Sequence, residues 1–301
     1  VKLLATTLPS PLQRLTDSVT KTAEVELYIK RDDLIHPLVS GNKWRKLKYA
    51  LQEANERDVK TILTFGGAFS NHLFALSAAG KLLGFRTIGV VRGEELEDKE
   101  RSSTLAFCEA QGMELVFVTR QEYKQRAERP FLDELCQRFD SPMIIAEGGT
   151  GPLALQGVAE LTGEVREQLG RRPDYYALAS GTGGTAAGIL SAGASVLSFP
   201  VLKGGGFLEK DILDLAGELS PDVSLSLFTD FHFGGYGRWN TELLEFIDWF
   251  HREHHIQLEQ IYTGKMMYGL YQLLERGYFK PGSSIVTIHT GGLQGLLSSR
   301  R

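Results

Sequence analysis

Ser40-Gly41-Asn42-Lys43-Trp44-Arg45-Lys46 and Ala179-Ser180-Gly181-Thr182-Gly183-Gly184-Thr185 are two segments whose residue types and spacing can do chemistry, and they read as halves of one split site. The first places two amines three residues apart at a helix start, on neighbouring parts of one face. An amine partly removed from water and set beside another cation loses basicity, and its neutral form condenses with an aldehyde. Lys43 and Lys46 have that relationship, and Lys46 can also pair with a phosphate as a point charge. The same two lysines, taken alone, also describe a solvated basic helix start. In the second segment an apolar strand runs through glycines and threonines into Ala186-Ala187-Gly188-Ile189-Leu190. Successive amide N–H groups, threonine hydroxyls and the positive end of a helix there form a cradle for an anion. It is not a Walker loop, because no Gly-Lys-Ser/Thr follows, and it lacks the dinucleotide-binding spacing. A tight strand-to-helix turn with no ligand is the other reading.

Phe65-Gly66-Gly67-Ala68-Phe69-Ser70-Asn71-His72 again sets a glycine turn after a strand. Ser70 and Asn71 suit the cap of the next helix. The same helix start can take a carboxylate through backbone N–H groups and the Ser70 hydroxyl, with Asn71 left to bond a phenolic oxygen. His72 reads as structural.

Elements that must position these loops follow from periodicity. Short β-branched runs at residues 61–65, 87–91, 114–118, 143–146, 175–179, 224–228 and 284–289 alternate with helical patterns, the signature of βαβ units in an α/β fold. Trp44, Leu47, Leu51 and Ala54 form one apolar stripe at helical spacing, and Leu243, Leu244, Ile247 and Phe250 another. The charge-rich stretch at 92–101 reads as a solvated face. A chain of 301 residues with 42% hydrophobic content has material for about two domains. A net charge of −4 argues against nucleic acid, and no stretch approaches the ~20 apolar residues of a membrane span. Small molecules are the expected partners. Cys108 and Cys136 cannot build a disulfide framework, and the N-terminus lacks a signal pattern, so a cytoplasmic, reducing setting is expected.

In order and spacing, Lys30-Arg31-Asp32-Asp33, Ser40-Gly41-Asn42-Lys43 with Arg45-Lys46, Ser70-Asn71-His72, Glu147-Gly148-Gly149, the 181–185 loop, Tyr262-Thr263-Gly264-Lys265 and Thr290-Gly291-Gly292 resemble the pyridoxal-phosphate enzymes that include 1-aminocyclopropane-1-carboxylate deaminase and D-cysteine desulfhydrase. The resemblance covers nearly the whole chain. It implies a tryptophan-synthase-β-like α/β fold (fold type II) of mostly parallel open sheets flanked by helices. A large cofactor-binding domain would comprise 1–54 plus 152–301, with a smaller domain, 55–151, inserted. It also implies pyridoxal 5'-phosphate as cofactor and a homodimer. Lys43 would be the lysine bound to the cofactor and the base at Cα. Lys46 with Gly181, Thr182, Gly183, Gly184 and Thr185 would hold the phosphate, Asn71 the phenolic oxygen and Ser70 the substrate carboxylate. Tyr236 and Tyr262 match two tyrosines near the substrate.

Within that family, cyclopropane-opening members carry an acid after the second tyrosine and a leucine before the last Gly-Gly, whereas desulfhydrase-like members carry hydroxyls. Thr263 and Thr290 follow the latter. A neutral hydroxyl by the pyridine nitrogen gives a weaker electron sink, which suits β-elimination from D-cysteine to pyruvate, ammonia and hydrogen sulfide. Ring opening of 1-aminocyclopropane-1-carboxylate is the alternative. Phe74-Ala75 and Thr150-Gly151 depart from the arginine-alanine and Ser-Asn of many relatives, and 199–206 matches no functional motif and reads as a strand and a loop. Of another class, a metal-binding protein would draw on His251, His254 and His255, but no His-Glu-x-x-His pattern accompanies them and no metal ligands are assigned, and a non-catalytic amino-acid-binding protein is disfavoured by the presence of Lys43, Ser70, Asn71 and both tyrosines.

Overall fold

Apolar runs bounded by glycines pair in this chain as parallel ladders, the arrangement expected when helices cover both faces of a sheet. A computed structural model describes residues 4–298. Its strands are β1 (Leu12–Leu15), β2 (Glu26–Lys30), β3 (Thr61–Gly66), β4 (Arg86–Arg92), β5 (Glu114–Val118), β6 (Met143–Ile145), β7 (Tyr175–Ser180), β8 (Val196–Pro200), β9 (Leu225–Leu227) and β10 (Ser284–Ile288). They form a six-stranded sheet ordered β1-β2-β10-β7-β8-β9 and a four-stranded sheet ordered β5-β4-β3-β6. β1 pairs antiparallel with β2, and the remaining pairs are parallel.

Side chains alternate faces along a strand, and each sheet accordingly has two cores. On β7, Ala177 and Ala179 face a core with Phe250, Met266 and Leu270, while Tyr176 and Leu178 face one with Val158, Leu161 and Ile189. On β3, Ile62 joins Trp44, Leu47 and Leu51, while Leu63 and Phe65 join Tyr123 and Leu135.

The helix Asn42–Glu56 carries Lys43 and Lys46, and two contacts fix its place. Its apolar stripe of Trp44, Leu47, Ala50, Leu51 and Ala54 packs on the core of the four-stranded sheet. On its other side runs the helix Pro152–Leu169, where a Cβ on Gly157 would stand 2.0 Å from the carbonyl oxygen of Arg45. Only glycine permits that approach. Between these two helices lies a buried charge network. Arg45 makes a bidentate pair with Asp32 at 2.6 and 2.8 Å and a second with Glu164 at 2.9 and 3.0 Å. Lys30 adds Glu164 at 2.8 Å and the Ser10 carbonyl at 2.7 Å. Two cations thus balance two carboxylates, with the forked geometry that offsets the loss of hydration.

Several expectations change. Leu244 is exposed, so the second stripe is Leu243, Ile247 and Phe250. Strands expected at 143–146, 224–228 and 284–289 end at Ile145, span Leu225–Leu227 and end at Ile288. The sequence reading missed β1 and β2, in which charged and polar side chains interrupt the apolar residues. Phe199 and Pro200 close β8, and the glycines after them lead into the helix Leu208–Ala216. His254 turns inward to Asp17 and Tyr271, while His255 ends its helix in a left-handed conformation. Among the described residues no cluster of three His, Cys, Asp or Glu could hold a metal. Nor is any of their helices long and apolar enough to cross a membrane.

Candidate active site

Loops that follow the parallel strands gather at the strands' carboxyl ends, where open α/β sheets bind ligands. β3 leads to Gly67–Ser70, β6 to Glu147–Thr150, β7 to Gly181–Gly183 and β10 to His289–Gly292. The lysine helix enters this gathering at its own N-terminus. Gly41 caps it with φ +64°, and a Cβ there would overlap the Thr290 carbonyl at 1.9 Å. The Gly41 N–H donates to the Asp32 carbonyl at 2.9 Å, so the Lys30–Asp33 motif steadies the turn just ahead of Lys43.

Lys43 Nζ donates to Asn42 Oδ1 at 2.7 Å, and Asn42 Nδ2 in turn donates to Thr185 Oγ1 at 2.9 Å. Burial lowers the Lys43 amine to about 8. Lys46 is held well below its ordinary value by burial and then by the Lys43 charge. Its Nζ donates to the Gly148 carbonyl at 3.0 Å and stands 3.5 Å from both Thr150 Oγ1 and Thr182 Oγ1. Those two hydroxyls are 3.0 Å apart. The helix Gly184–Ser191 begins against the same point, where a Cβ on Gly184 would lie 2.8 Å from Thr150 Oγ1 and 3.0 Å from Lys46 Nζ. Two hydroxyls, an amine and an open helix N-terminus converge there, and no carboxylate of the described residues pairs with Lys43 or Lys46. Such a cradle is built for an anion.

Ser70 caps the helix Asn71–Leu83, its Oγ accepting the Leu73 N–H at 3.2 Å, which leaves its own O–H to donate. Asn71 Oδ1 accepts from Gln294 at 2.9 Å, while Nδ2 faces Gly292, 2.9 Å from where a Cβ would be. His72 is buried. Its Nε2 is 2.8 Å from Thr64 Oγ1, which donates to the Ile145 carbonyl at 2.7 Å; the Thr64 oxygen therefore accepts, and Nδ1 is the bare nitrogen. That Nδ1 has no hydrogen-bond partner among the described residues and lies against Gly149. Burial, then the charges of Lys43 and Lys46, keep this ring neutral.

Tyr262 lies over the glycine loop after β7, its ring 3.3 Å from the Cβ position of Gly181, and Tyr236 meets it edge-on with centroids 5.9 Å apart. Burial first, and then Tyr236, push the Tyr262 phenol well above its usual range, so it remains an O–H donor. Tyr236 comes from a loop pinned by Lys265, whose buried Nζ donates to the His232 and Gly235 carbonyls at 2.8 Å each.

The two threonines separate. Thr263 Oγ1 accepts the Glu259 N–H and donates to Glu259 Oε1, each at 3.1 Å. Glu259 caps the helix Thr263–Glu275, taking the backbone N–H groups of Ile261, Tyr262 and Thr263. Thr290 is half-buried with its backbone carbonyl against Gly41, and its hydroxyl has no hydrogen-bond partner among the described residues. Sequence reasoning therefore assigned no role to Asn42, Thr150, Glu259 or Lys265. Thr150 carried a readable signal: a second glycine turn after a strand, ending in a hydroxyl. Lys265 acts through the tertiary fold and carried none, while Glu259 acts locally, on the helix start two to four residues on.

A lysine of lowered basicity beside an anion cradle, at the switch end of parallel strands, is the architecture of a pyridoxal-phosphate enzyme. The profile of the family "Pyridoxal-phosphate dependent enzyme" matches residues 4–199. A Pyrococcus furiosus protein provisionally named 1-aminocyclopropane-1-carboxylate deaminase is 33% identical across 95% of this chain and 90% of its own length. The Arabidopsis thaliana protein named bifunctional D-cysteine desulfhydrase/1-aminocyclopropane-1-carboxylate deaminase, mitochondrial, is 30% identical across 96% of this chain and 77% of its own. The crystal structure of a 1-aminocyclopropane-1-carboxylate deaminase homologue superposes with a TM-score of 0.82 at 28% identity, covering 97% of this chain and 92% of that one. The chain belongs to the 1-aminocyclopropane-1-carboxylate deaminase and D-cysteine desulfhydrase family of pyridoxal-phosphate-dependent lyases.

Proposed function

We propose that the chain catalyses α,β-elimination on a small amino acid, D-cysteine, giving pyruvate, ammonia and hydrogen sulfide. The observation that carries this reading is the division of labour between the two threonines. Thr290, whose backbone meets the lysine turn at Gly41, carries a neutral hydroxyl without a partner among the described residues, while the acid Glu259 is taken up by the donors of its own helix start. A ring nitrogen that meets a hydroxyl instead of a carboxylate stays less protonated, which suits loss of a good leaving group more than opening of a cyclopropane.

Pyridoxal phosphate, when bound, supplies the sink for the electron pair left at Cα. Lys46, Thr150, Thr182 and the Gly184 helix start would hold its phosphate, and Asn71 Nδ2 its phenolic oxygen. Every other step falls to the chain. Ser70 O–H and the amides of its helix start orient the substrate carboxylate. Lys43, as a free neutral amine, would take the α-proton as the Cα–H bond breaks. The Cβ–S bond then breaks, and the sulfur leaves beside Tyr262 and Tyr236, whose phenols keep their protons and donate to it. The released enamine takes up water to become pyruvate and ammonia.

Release of ammonia and of the matching 2-oxo acid from D-cysteine, L-cysteine and 1-aminocyclopropane-1-carboxylate, pyruvate from the cysteines and 2-oxobutyrate from the cyclopropane, recorded together with the visible band of the holoenzyme, tests the proposal. D-cysteine should perturb the band and yield pyruvate fastest. 2-Oxobutyrate from the cyclopropane, with no pyruvate from either cysteine, would transfer the assignment to the deaminase, and a band indifferent to all three would leave a cofactor-binding protein without this activity.

A further inference from the structure

A cavity of about 330 Å³ on the four-stranded sheet is lined by Arg92, Arg120, Tyr123, Lys124, Arg126 and Glu147. Four cations face one carboxylate there. Arg126 pairs with Glu147 at 2.7 Å and Arg120 with Glu95 at 2.7 Å, whereas Arg92 and Lys124 have no carboxylate partner among the described residues. Beneath them lies Tyr123, only 3% exposed, with its hydroxyl lacking any hydrogen-bond partner among the described residues. The guanidinium carbons of Arg126 and Arg92 stand 5.1 and 5.9 Å from its ring centre. Burial, and then the Glu147 charge, raise this phenol far above its ordinary value, so it stays an O–H donor. A buried donor without an acceptor is costly until one comes to it, and the two cations that lack a carboxylate, Arg92 and Lys124, stand at the same cavity.

The cavity adjoins the cleft. Arg92 Nη2 is 3.9 Å from the Cβ position of Gly67, in the loop that leads to Ser70. Glu147 immediately precedes Gly148, whose carbonyl receives Lys46. We propose that Arg92, Lys124 and Tyr123 form a second anion site, separate from the Lys46 cradle, that takes a small oxyanion: a phosphate, a sulfonate or a carboxylate. The oxyanion is either the far end of the amino acid held in the cleft or a free ion. The first source rests on the elimination reading; the second does not.

Inorganic phosphate titrated into the holoenzyme at fixed ionic strength, followed by calorimetry, should bind saturably. The double variant Arg92→Gln/Lys124→Gln should bind at least tenfold more weakly, and Tyr123→Phe several-fold more weakly, both with an unchanged cofactor band. No saturable binding by the wild type, or equal affinity in the double variant, would overturn the site. Turnover of O-phosphoserine against β-chloroalanine of the same configuration separates the sources. If the anion belongs to the substrate, the double variant loses kcat/KM for O-phosphoserine alone by about tenfold; if the anion is free, the two substrates keep their ratio while phosphate binding is lost. Should neither substrate turn over, the elimination reading fails while the calorimetry still decides the site.

Discussion

The Glu259 carboxylate accepts both the backbone N–H of Thr263, at 2.5 Å, and its hydroxyl, at 3.1 Å. Of the two hydroxyls that the sequence offers to a pyridine nitrogen, this one is committed to a helix start. Thr263→Val should therefore act on stability, at about 1 kcal/mol for a lost buried hydrogen bond, more if the Glu259 N–H is left unpaired. Thr290→Val should leave the urea midpoint nearly unchanged and alter kcat several-fold. The reverse pattern would exchange their roles.

Lys43, at about 8, is neutral at neutral pH far more often than a solvated lysine. Its folded value is depressed, so the reactive amine grows as pH rises toward 8 and levels above it. Cofactor uptake by the cofactor-free protein, followed by absorbance, should accelerate about tenfold between pH 6 and 7 and reach a plateau above 8. A rise that continues past pH 10 would mean a solvated amine.

Gly184 leaves open the point where Thr150 Oγ1 and Lys46 Nζ converge. A methyl group there would occupy the position of the anion without straining the backbone. Gly184→Ala should keep the circular dichroism of the wild type and weaken affinity for pyridoxal phosphate at least tenfold in equilibrium dialysis. Unchanged affinity would place the phosphate elsewhere.

Arg45 is the hinge of the buried network beneath the lysine helix. Arg45→Met leaves Asp32 and Glu164 partly uncompensated and should cost about 3 kcal/mol of unfolding free energy. Arg86→Gln, which breaks the exposed pair with Glu114, should cost less than about 1 kcal/mol. Urea denaturation of both variants checks the contrast.

Much of this was legible in the sequence, for identifiable reasons. β3, β4 and β7 are buried on both faces and read as largely apolar runs, the half-buried edge strand β5 shows as a β-branched one, and the glycine loops after β3 and β7 announced two parts of the site. β1 and β2 escaped notice because Gln13 and Arg14 interrupt the first and Glu26 and Lys30 leave only three apolar residues between them in the second; Lys30 is buried against Glu164, Gln168 and the Ser10 carbonyl, all distant in sequence. Leu244 fits the helical stripe yet faces solvent, since periodicity gives a direction and not what lies there. The convergence of Thr150, Thr182 and Lys46 exists only once two sheets bring separate loops together, whereas the capture of Thr263 by Glu259, four residues away, is local and depends on how the chain turns into its helix. Ser70 shows the ambiguity at its plainest, because the capping bond and the free O–H belong to the same hydroxyl.

Lys43 as the residue that carries the cofactor is the claim on which the rest depends. Borohydride reduction of the holoenzyme, followed by mass spectrometry of its peptides, should find the reduced pyridoxal-phosphate adduct on the peptide containing Lys43, and none in Lys43→Ala. An adduct on Lys46 or Lys265, or one that persists in Lys43→Ala, would contradict the account.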